Sequence, residues 1–297
     1  MIDVSIIIVT YQSQDEVLDC LNSIYNNVDG LTFEIIIADN CSTDNTVKLI
    51  QTKFPDIILV ENKINMGFSF ANNIASKDAK GDFLFFLNPD SILFENSIKI
   101  LLSEYNSDNN KGIIGPVIKN IDKSIQLSSG LKPSISATLF EAFGLYLFLP
   151  NTLFGYRKNL ESMKDLQVDW VSGACFLISK KVFNNLEGFD ENFFLYLEDV
   201  DICLRTKTQM GKNILLTSKT SIIHKSGKSS KNSSFLSKIS SYKSKLYFHK
   251  KYNNRLLYLL LIPMMYFAVL IKLIALILLF RNIEEIKSQF KVLTNLL

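Results

Sequence analysis

The sequence predicts an α/β protein built on a doubly wound, mostly parallel sheet, followed by an apolar, membrane-associated helical segment. Three observations carry this expectation. Short apolar runs rich in β-branched and aromatic residues recur through the first 120 residues without period-two alternation, as in strands covered on both faces. Helix-length stretches separate them and suit right-handed crossovers. Further on, residues 256–280 are apolar, broken only by Pro263 and Lys272.

Taken in order, the first strand is Val4–Thr10 (VSIIIVT) and a helix follows over about 15–27. The second is Phe33–Ala38, with a helix over 43–53; the third is Ile57–Val60, with a helix over 68–79. Phe83–Leu87 (FLFFL) is the fourth, before a helix over 94–105. In such sheets ligands gather at the carboxyl ends of the strands. Those ends carry Thr10-Tyr11, Asp39-Asn40, Asn65 with Gly67, and Asn88-Pro89-Asp90. No Gly-x-Gly-x-x-Gly follows the first strand and no Gly-x-x-x-x-Gly-Lys-Ser/Thr occurs, which argues against a Rossmann dehydrogenase and a P-loop NTPase. Acids stand where a phosphate cradle would be. Asp39 suits a nucleobase imide or a ribose hydroxyl, because a carboxylate accepts hydrogen bonds better than a neutral group. Asp90 suits a hard divalent cation that bridges to a diphosphate. Each acid taken singly also fits a helix cap or a turn.

With 297 residues, 47% of them hydrophobic, the chain can bury a sizeable core, and disorder is excluded. Cys20, Cys41, Cys175 and Cys203 are far apart with no Cys-x-x-Cys, so neither a zinc knuckle nor a redox motif is available and a reducing compartment is expected. Met1-Ile-Asp-Val-Ser reads as the approach to a strand and not as a signal peptide, which places this part in the cytoplasm. The net charge of +3 hides a split. Residues 1–201 hold 15 Lys/Arg against 27 Asp/Glu, whereas Arg205 to Arg281 contains 15 Lys/Arg and no acid. So long a basic stretch calls for an anionic partner. Lys243, Lys245, Lys250, Lys251 and Arg255, interleaved with Tyr247, Tyr252 and Tyr258, lie at the edge of the apolar segment. That combination marks the cytoplasmic headgroup layer and favours an anionic membrane over nucleic acid. The segment itself reads as a spanning helix, as two short interfacial helices broken at Pro263, or as a buried core helix.

The runs VSIIIVTY, IADNCSTDNT, NMGFSFANN and GDFLFFLNPD, in this order, resemble the inverting family-2 glycosyltransferases of GT-A fold, and more narrowly their rhamnosyltransferase-like branch. A second block, WVSGACFLISKKVFNNLEGFDENFFLYLEDVDICLR followed by SIIHKSG, is similar to the same family. The resemblance covers about 1–228 and implies a catalytic domain there, with 229–255 a basic membrane-proximal helix or linker and 256–297 the apolar segment and tail. It implies that Thr10 and Tyr11 form the nucleotide wall, that Asp39 reads base or ribose, and that Asn65 lines the donor site. Asn88 and Asp90 would face the donor diphosphate, Asp90 being the last acid of the metal motif; Asn88 departs from the commoner Asp-x-Asp and leaves the metal one charge fewer. His224 would complete the metal site, holding Mg2+ or Mn2+.

Glu198, Asp199 and Asp201 crowd the start of a helical run, where the helix dipole favours negative charge. The resemblance makes Asp199 the catalytic base. Glu198, Trp170 and Gly173 read as acceptor-side residues: Trp170 offers a flat face to a sugar ring or packs in the core, and Gly173 allows a close backbone approach. Arg205 reads as a structural ion pair, and His249 carries no chemistry. The stretch 120–167 has no motif and reads as acceptor-side structure, with Leu139–Leu149 a second apolar surface. The implied activity is transfer of a sugar from a nucleotide diphospho-sugar, dTDP-rhamnose or a UDP-hexose, to a lipid-linked or surface-polysaccharide glycan at the cytoplasmic face of the membrane. A membrane-anchored nucleotide-binding scaffold without turnover is the alternative.

Overall fold

The structure, a computed structural model, describes residues 2–145, 165–225, 234–279 and 283–296. Four parallel strands, β1 (Val4–Thr10), β2 (Phe33–Asp39), β3 (Ile58–Glu61) and β4 (Phe83–Leu87), lie in the order β3-β2-β1-β4. Helices α1 (Val17–Asn27), α2 (Thr46–Lys53) and α3 (Phe68–Lys77) connect them. Each strand and helix stands where the apolar runs place it, within a few residues at the ends. Beyond β4 follow β5 (Ser91–Ile92), α4 (Ser97–Asn106), β6 (Lys111–Lys119), β7 (Ser129–Gly130), α5 (Ile135–Ala142), β8 (Leu166–Val168) and β9 (Trp170–Val171). Then come β10 (Cys175–Ser179), α6 (Lys180–Asn185), α7 (Glu198–Met210), β11 (Asn213–His224), α8 (Ser234–Tyr252), α9 (Arg255–Leu278) and α10 (Ile283–Thr294).

The sheet continues β4-β10-β6-β11-β5, with β10 antiparallel to both neighbours and β11 parallel to β6. Both faces are covered, which explains the unalternating strands. Val4, Ile6 and Ile8 of β1 pack with Leu21 and Ile24 of α1 on one face. Ile7 and Val9 pack on the other, with Ala71 of α3 and Ile202 of α7. Three register pairs build the site: Thr10 opposite Asp39, Leu87 opposite Cys175, and Ser91 opposite His224.

A third apolar cluster joins α5 to α8, α9 and α10 through Ala142, Ile239, Leu246, Leu261, Met265, Val269 and Val292. Of the readings open for this segment, the break at Pro263 does not occur: α9 is one helix. Its buried residues Leu261, Met265, Val269 and Leu273 recur every four positions across the proline, so one packed face holds both sides of it in register. The helix is long and apolar enough to cross a membrane, with 28% of its most apolar window buried. Leu256, Leu260, Phe267, Ile277 and Leu278 are each at least half exposed, so α9 does not have the surroundings of a soluble core helix. Of the apolar run 139–149, α5 and the turn to Leu145 are described, and the rest lies outside the described residues, as do the boundary at 228 and Arg281.

His249 is fully buried between α5 and α8. Its ring accepts from Asn253 Nδ2 at 2.8 Å and donates to Thr138 Oγ1 at 2.7 Å, a pattern only the neutral form completes. Burial, with Lys132 and Lys245 nearby, lowers its pKa from 6.5 to about 4. The unfolded chain therefore takes a proton that the folded chain refuses as the pH falls from 6.5 towards 4, so stability present above 6.5 is lost across that window, at most about 3 kcal/mol. Melting in detergent micelles should show this acid loss in the natural chain and a flatter profile in His249→Gln; equal slopes would contradict the buried neutral ring.

Candidate active site

Thr10 Oγ1 donates to Asp39 Oδ1 at 2.9 Å, and the Ser42 N–H donates to Oδ2 at 2.8 Å. Both side chains are buried at the adjacent ends of β1 and β2. Tyr11 follows directly, its N–H bonded to Ser13 Oγ at 3.3 Å. Asn65 is held from two sides, its Oδ1 accepting from Asn40 Nδ2 at 2.9 Å and from the Gly67 N–H at 3.0 Å. Asn40 also accepts from Asn62 Nδ2 and the Met66 N–H, so it braces the whole loop. Gly67 is required there: its φ is +90°, and a Cβ would stand 2.5 Å from the Phe194 carbonyl oxygen. That close approach docks the start of α3 on the loop before α7, where the Phe68 N–H donates to the same oxygen at 2.7 Å.

At the end of β4, His224 Nε2 lies 3.1 Å from Asp90 Oδ1 and 3.3 Å from Asn88 Nδ2. On the far side of the ring, Nδ1 is 3.0 Å from Gln126 Oε1. The Gln126 amide nitrogen donates to the His224 carbonyl at 2.8 Å and to Asn120 Oδ1 at 2.7 Å, so its oxygen must face the ring and Nδ1 must carry a hydrogen. Nε2 faces a carboxylate oxygen, a contact that either a proton on Nε2 or a cation held by both groups would satisfy. Among the described residues no three His, Cys, Asp or Glu side chains converge on a metal site. Asp90 and His224, with the neutral Asn88 amide, instead make a partial donor set of the kind that a substrate diphosphate completes.

Asp199 sits in the first turn of α7 behind two consecutive left-handed residues, Tyr196 at φ 73° and Leu197 at φ 68°. Such conformations cost about 1–3 kcal/mol each without glycine, and they aim the helix start. The Gly173 N–H donates to Asp199 Oδ2 and the Val200 N–H to Oδ1, both at 2.8 Å. Burial raises the Asp199 pKa above the ordinary carboxylate range against the pull of these two bonds. Glu198 is raised much further, first by burial and then by the charge on Asp199, and its Oε2 is buried without a hydrogen-bond partner. The two backbone donors oppose the rise at Asp199, whereas the unbonded Oε2 of Glu198 has no such bond to offset burial.

Asp199 and Glu198 open onto a cavity of about 660 Å³ that Trp170, Leu131 and Tyr196 also line. Trp170 is fixed by its Nε1–H donating to the Leu131 carbonyl at 2.9 Å. Gly173 is placed against Asp199, a Cβ there standing 3.3 Å from the Asp199 Cβ. The neighbouring Ala174 carbonyl accepts from the Asn88 N–H at 2.9 Å, so one turn touches both the strand end of Asp90 and the acid of α7. Arg205 is the structural pair expected, bonded to Asp201 Oδ2 at 2.7 Å and to the Leu186 and Gly188 carbonyls. Sequence reasoning gave no individual site role to Asn40, Gln126, Lys245 or Lys272. Asn40 has a visible signal, its place beside Asp39 at a strand end; Gln126 has none.

The family model described as glycosyl transferase family 2 matches residues 5–187. The chain belongs to that family. N-acetylglucosaminyl-diphospho-decaprenol L-rhamnosyltransferase of Mycobacterium tuberculosis is 30% identical over 181 residues, 57% of this chain and 59% of that protein. The chain thus spans about three fifths of the length of this curated relative. Two solved structures share the fold. GalNAc-T7 with UDP, GalNAc and Mn2+ has a TM-score of 0.58 at 15% identity, over 75% of this chain and 44% of that one. S. aureus TarS 1–349 has 0.54 at 14%, over 99% and 70%. The family match covers the strand ends that carry Thr10, Asp39 and Asp90 and stops short of α7.

Gly173→Ala tests the contact with Asp199. The added methyl lies 3.3 Å from the Asp199 Cβ, so it should shift the carboxylate. Sugar transfer should fall about tenfold or more with little change in melting temperature; unchanged transfer would show that the contact does not position the acid.

Proposed function

We propose that this family 2 chain is an inverting, metal-dependent hexosyltransferase that moves a sugar from a nucleotide diphospho-sugar to a lipid-linked glycan. The observation that carries the reading is the Gly173–Ala174 turn, which ties a strand end suited to a diphosphate and its cation to a carboxylate tuned as a base. Asp39, held by Thr10 and Ser42, takes the ribose or base of the donor. Asp90 and His224 would hold Mg2+ or Mn2+, which supplies Lewis-acid stabilisation of the departing diphosphate. Mn2+ accompanies UDP in the GalNAc-T7 structure of the same fold.

Asp199 takes the proton from an acceptor hydroxyl. That oxygen bonds to the anomeric carbon from the face opposite the diphosphate, the carbon–oxygen bond to the diphosphate breaks, and configuration inverts. Half-buried and raised in pKa, Asp199 is a stronger base than an exposed carboxylate. The relative's name specifies a diphospho-decaprenol substrate and rhamnosyl transfer. That name supports a dTDP-rhamnose donor over a UDP-hexose, and the exposed apolar face of α9 with the acid-free basic stretch supports a position at the anionic, cytoplasmic membrane face.

Asp199→Asn keeps the shape but removes the proton acceptor. Transfer should fall at least about 10²-fold with donor binding retained, and the acid limb of kcat/KM in the natural chain should stand above the usual carboxylate range. Near-normal transfer by Asp199→Asn would remove this residue from the role. Chelation should abolish transfer, and Asp90→Ala should weaken nucleotide binding only when metal is present. Calorimetry with and without Mn2+ decides this, and full activity in excess chelator would sink the metal-dependent reading.

A further inference from the structure

We propose that Lys245 and Lys272 form the subsite for the phosphate of a lipid-linked acceptor, a refinement that rests on the acceptor reading above. Both lysines line the cavity that holds Asp199. A second cavity of about 360 Å³, between α5, α8, α9 and α10, shares Lys245, Lys272, Glu141, Tyr196 and Ser241 with it. The two ammonium groups therefore stand where the base-bearing cavity passes into the apolar helical layer.

Lys272 is the one charged residue of α9 after Arg255. A charge in so apolar a helix is costly unless it has a use. Its side chain is half-buried and turned towards the protein, with Nζ 3.2 Å from the Tyr242 hydroxyl and 5.7 Å from the centre of that ring. Its neighbours Leu270, Ile271 and Ile274 are exposed. The same stretch of helix thus offers apolar surface outward and a cation inward. Lys245 Nζ is 2.6 Å from Glu141 Oε1. An ammonium has three donors, so this contact leaves capacity for phosphate oxygens. The Glu141 side chain, 44% exposed, can turn to solvent when an anion enters.

A lipid-linked acceptor needs three surfaces in sequence: a base for the sugar hydroxyl, cations for the phosphate and an apolar path for the chain. Asp199 lines the first cavity, the two lysines line both cavities, and α9 carries Lys272 together with exposed apolar residues. A cavity of about 660 Å³ is within the usual range for a small ligand such as a sugar unit. Lysine serves phosphate as a point charge, which suits a diphosphate ester whose exact orientation is set elsewhere, by the sugar.

The test uses the full chain in detergent micelles with farnesyl diphosphate, an isoprenoid diphosphate carrying no sugar, and with chelator present so that no cation at Asp90 captures it. Farnesol and inorganic diphosphate separate the apolar and ionic contributions. Farnesyl diphosphate should bind the natural chain, and Lys272→Gln and Lys245→Gln should each weaken it about tenfold or more, while farnesol binding changes less than about twofold. Lys272→Arg, which keeps the charge, should retain most of the affinity. Flotation with anionic phospholipid vesicles should be the same for all variants. Unchanged farnesyl diphosphate affinity in both Gln variants overturns the subsite. Parallel loss of farnesyl diphosphate and vesicle binding also overturns it, because the lysines would then be reading bulk headgroups. No step needs turnover, so a chain that transfers no sugar would defeat the reading of Asp199 and leave this result standing.

Discussion

Asp201 ties the active site to the rest of the molecule. Fully buried in α7, two residues beyond Asp199, it receives Arg205 Nε at 2.7 Å, Lys251 Nζ at 2.6 Å and the Tyr252 hydroxyl at 2.7 Å. Arg205 belongs to the same helix and to the loop it clasps, whereas Lys251 and Tyr252 come from the end of α8. Lys251 also reaches Asp190 at 2.6 Å, beside the Tyr247 hydroxyl at 2.9 Å. Burial alone would raise Asp190, yet the bonds from Lys251, Asn192 and Tyr247 hold it down at about 2. A buried carboxylate is tolerated only when its bonds are complete, so this network admits one arrangement of α7 against α8. Asp199 is thereby aimed at the helical layer by the same contacts that attach that layer.

The two halves of the site are reached by different kinds of construction. At the strand ends, parallel register and short loops suffice: Thr10 meets Asp39 because β1 and β2 pair residue by residue. The acid of α7 depends on distant parts of the chain. A Cβ at Gly173 would stand only 3.3 Å from that of Asp199, Tyr196 and Leu197 must hold left-handed backbone, and Gly67 must let α3 approach Phe194. Strain of this sort persists where the surrounding packing determines it, and here it surrounds the residue whose protonation matters.

Glu198 and Asp199 show how adjacent acids meet different surroundings. Glu198 is buried with its Oε2 unbonded, whereas Asp199 is half-buried and receives the Gly173 and Val200 N–H groups. Burial raises both pKa values, and the backbone bonds oppose the rise at Asp199. His224 follows a similar logic at the other end of the site, its tautomer set by Gln126, a residue from a segment with no motif.

Much of the fold was legible from the sequence alone. The first four strands and their helices follow from runs of buried β-branched residues, and the order of the acids at their ends is a local property of the chain. The expected structural role of Arg205 was also within reach, since Asp201 lies one helical turn before it. What only the tertiary structure decided are the long-range pairings. The antiparallel insertion of β10, the meeting of His224 with Asp90 over 134 residues of chain, the support from Gln126, the unbroken course of α9 through Pro263 and the convergence of Lys245 and Lys272 on the cavity of Asp199 all belong here. Periodicity and composition report which face of an element is buried. They carry no information about which distant residue shares that burial, because that choice is made by packing among elements already formed.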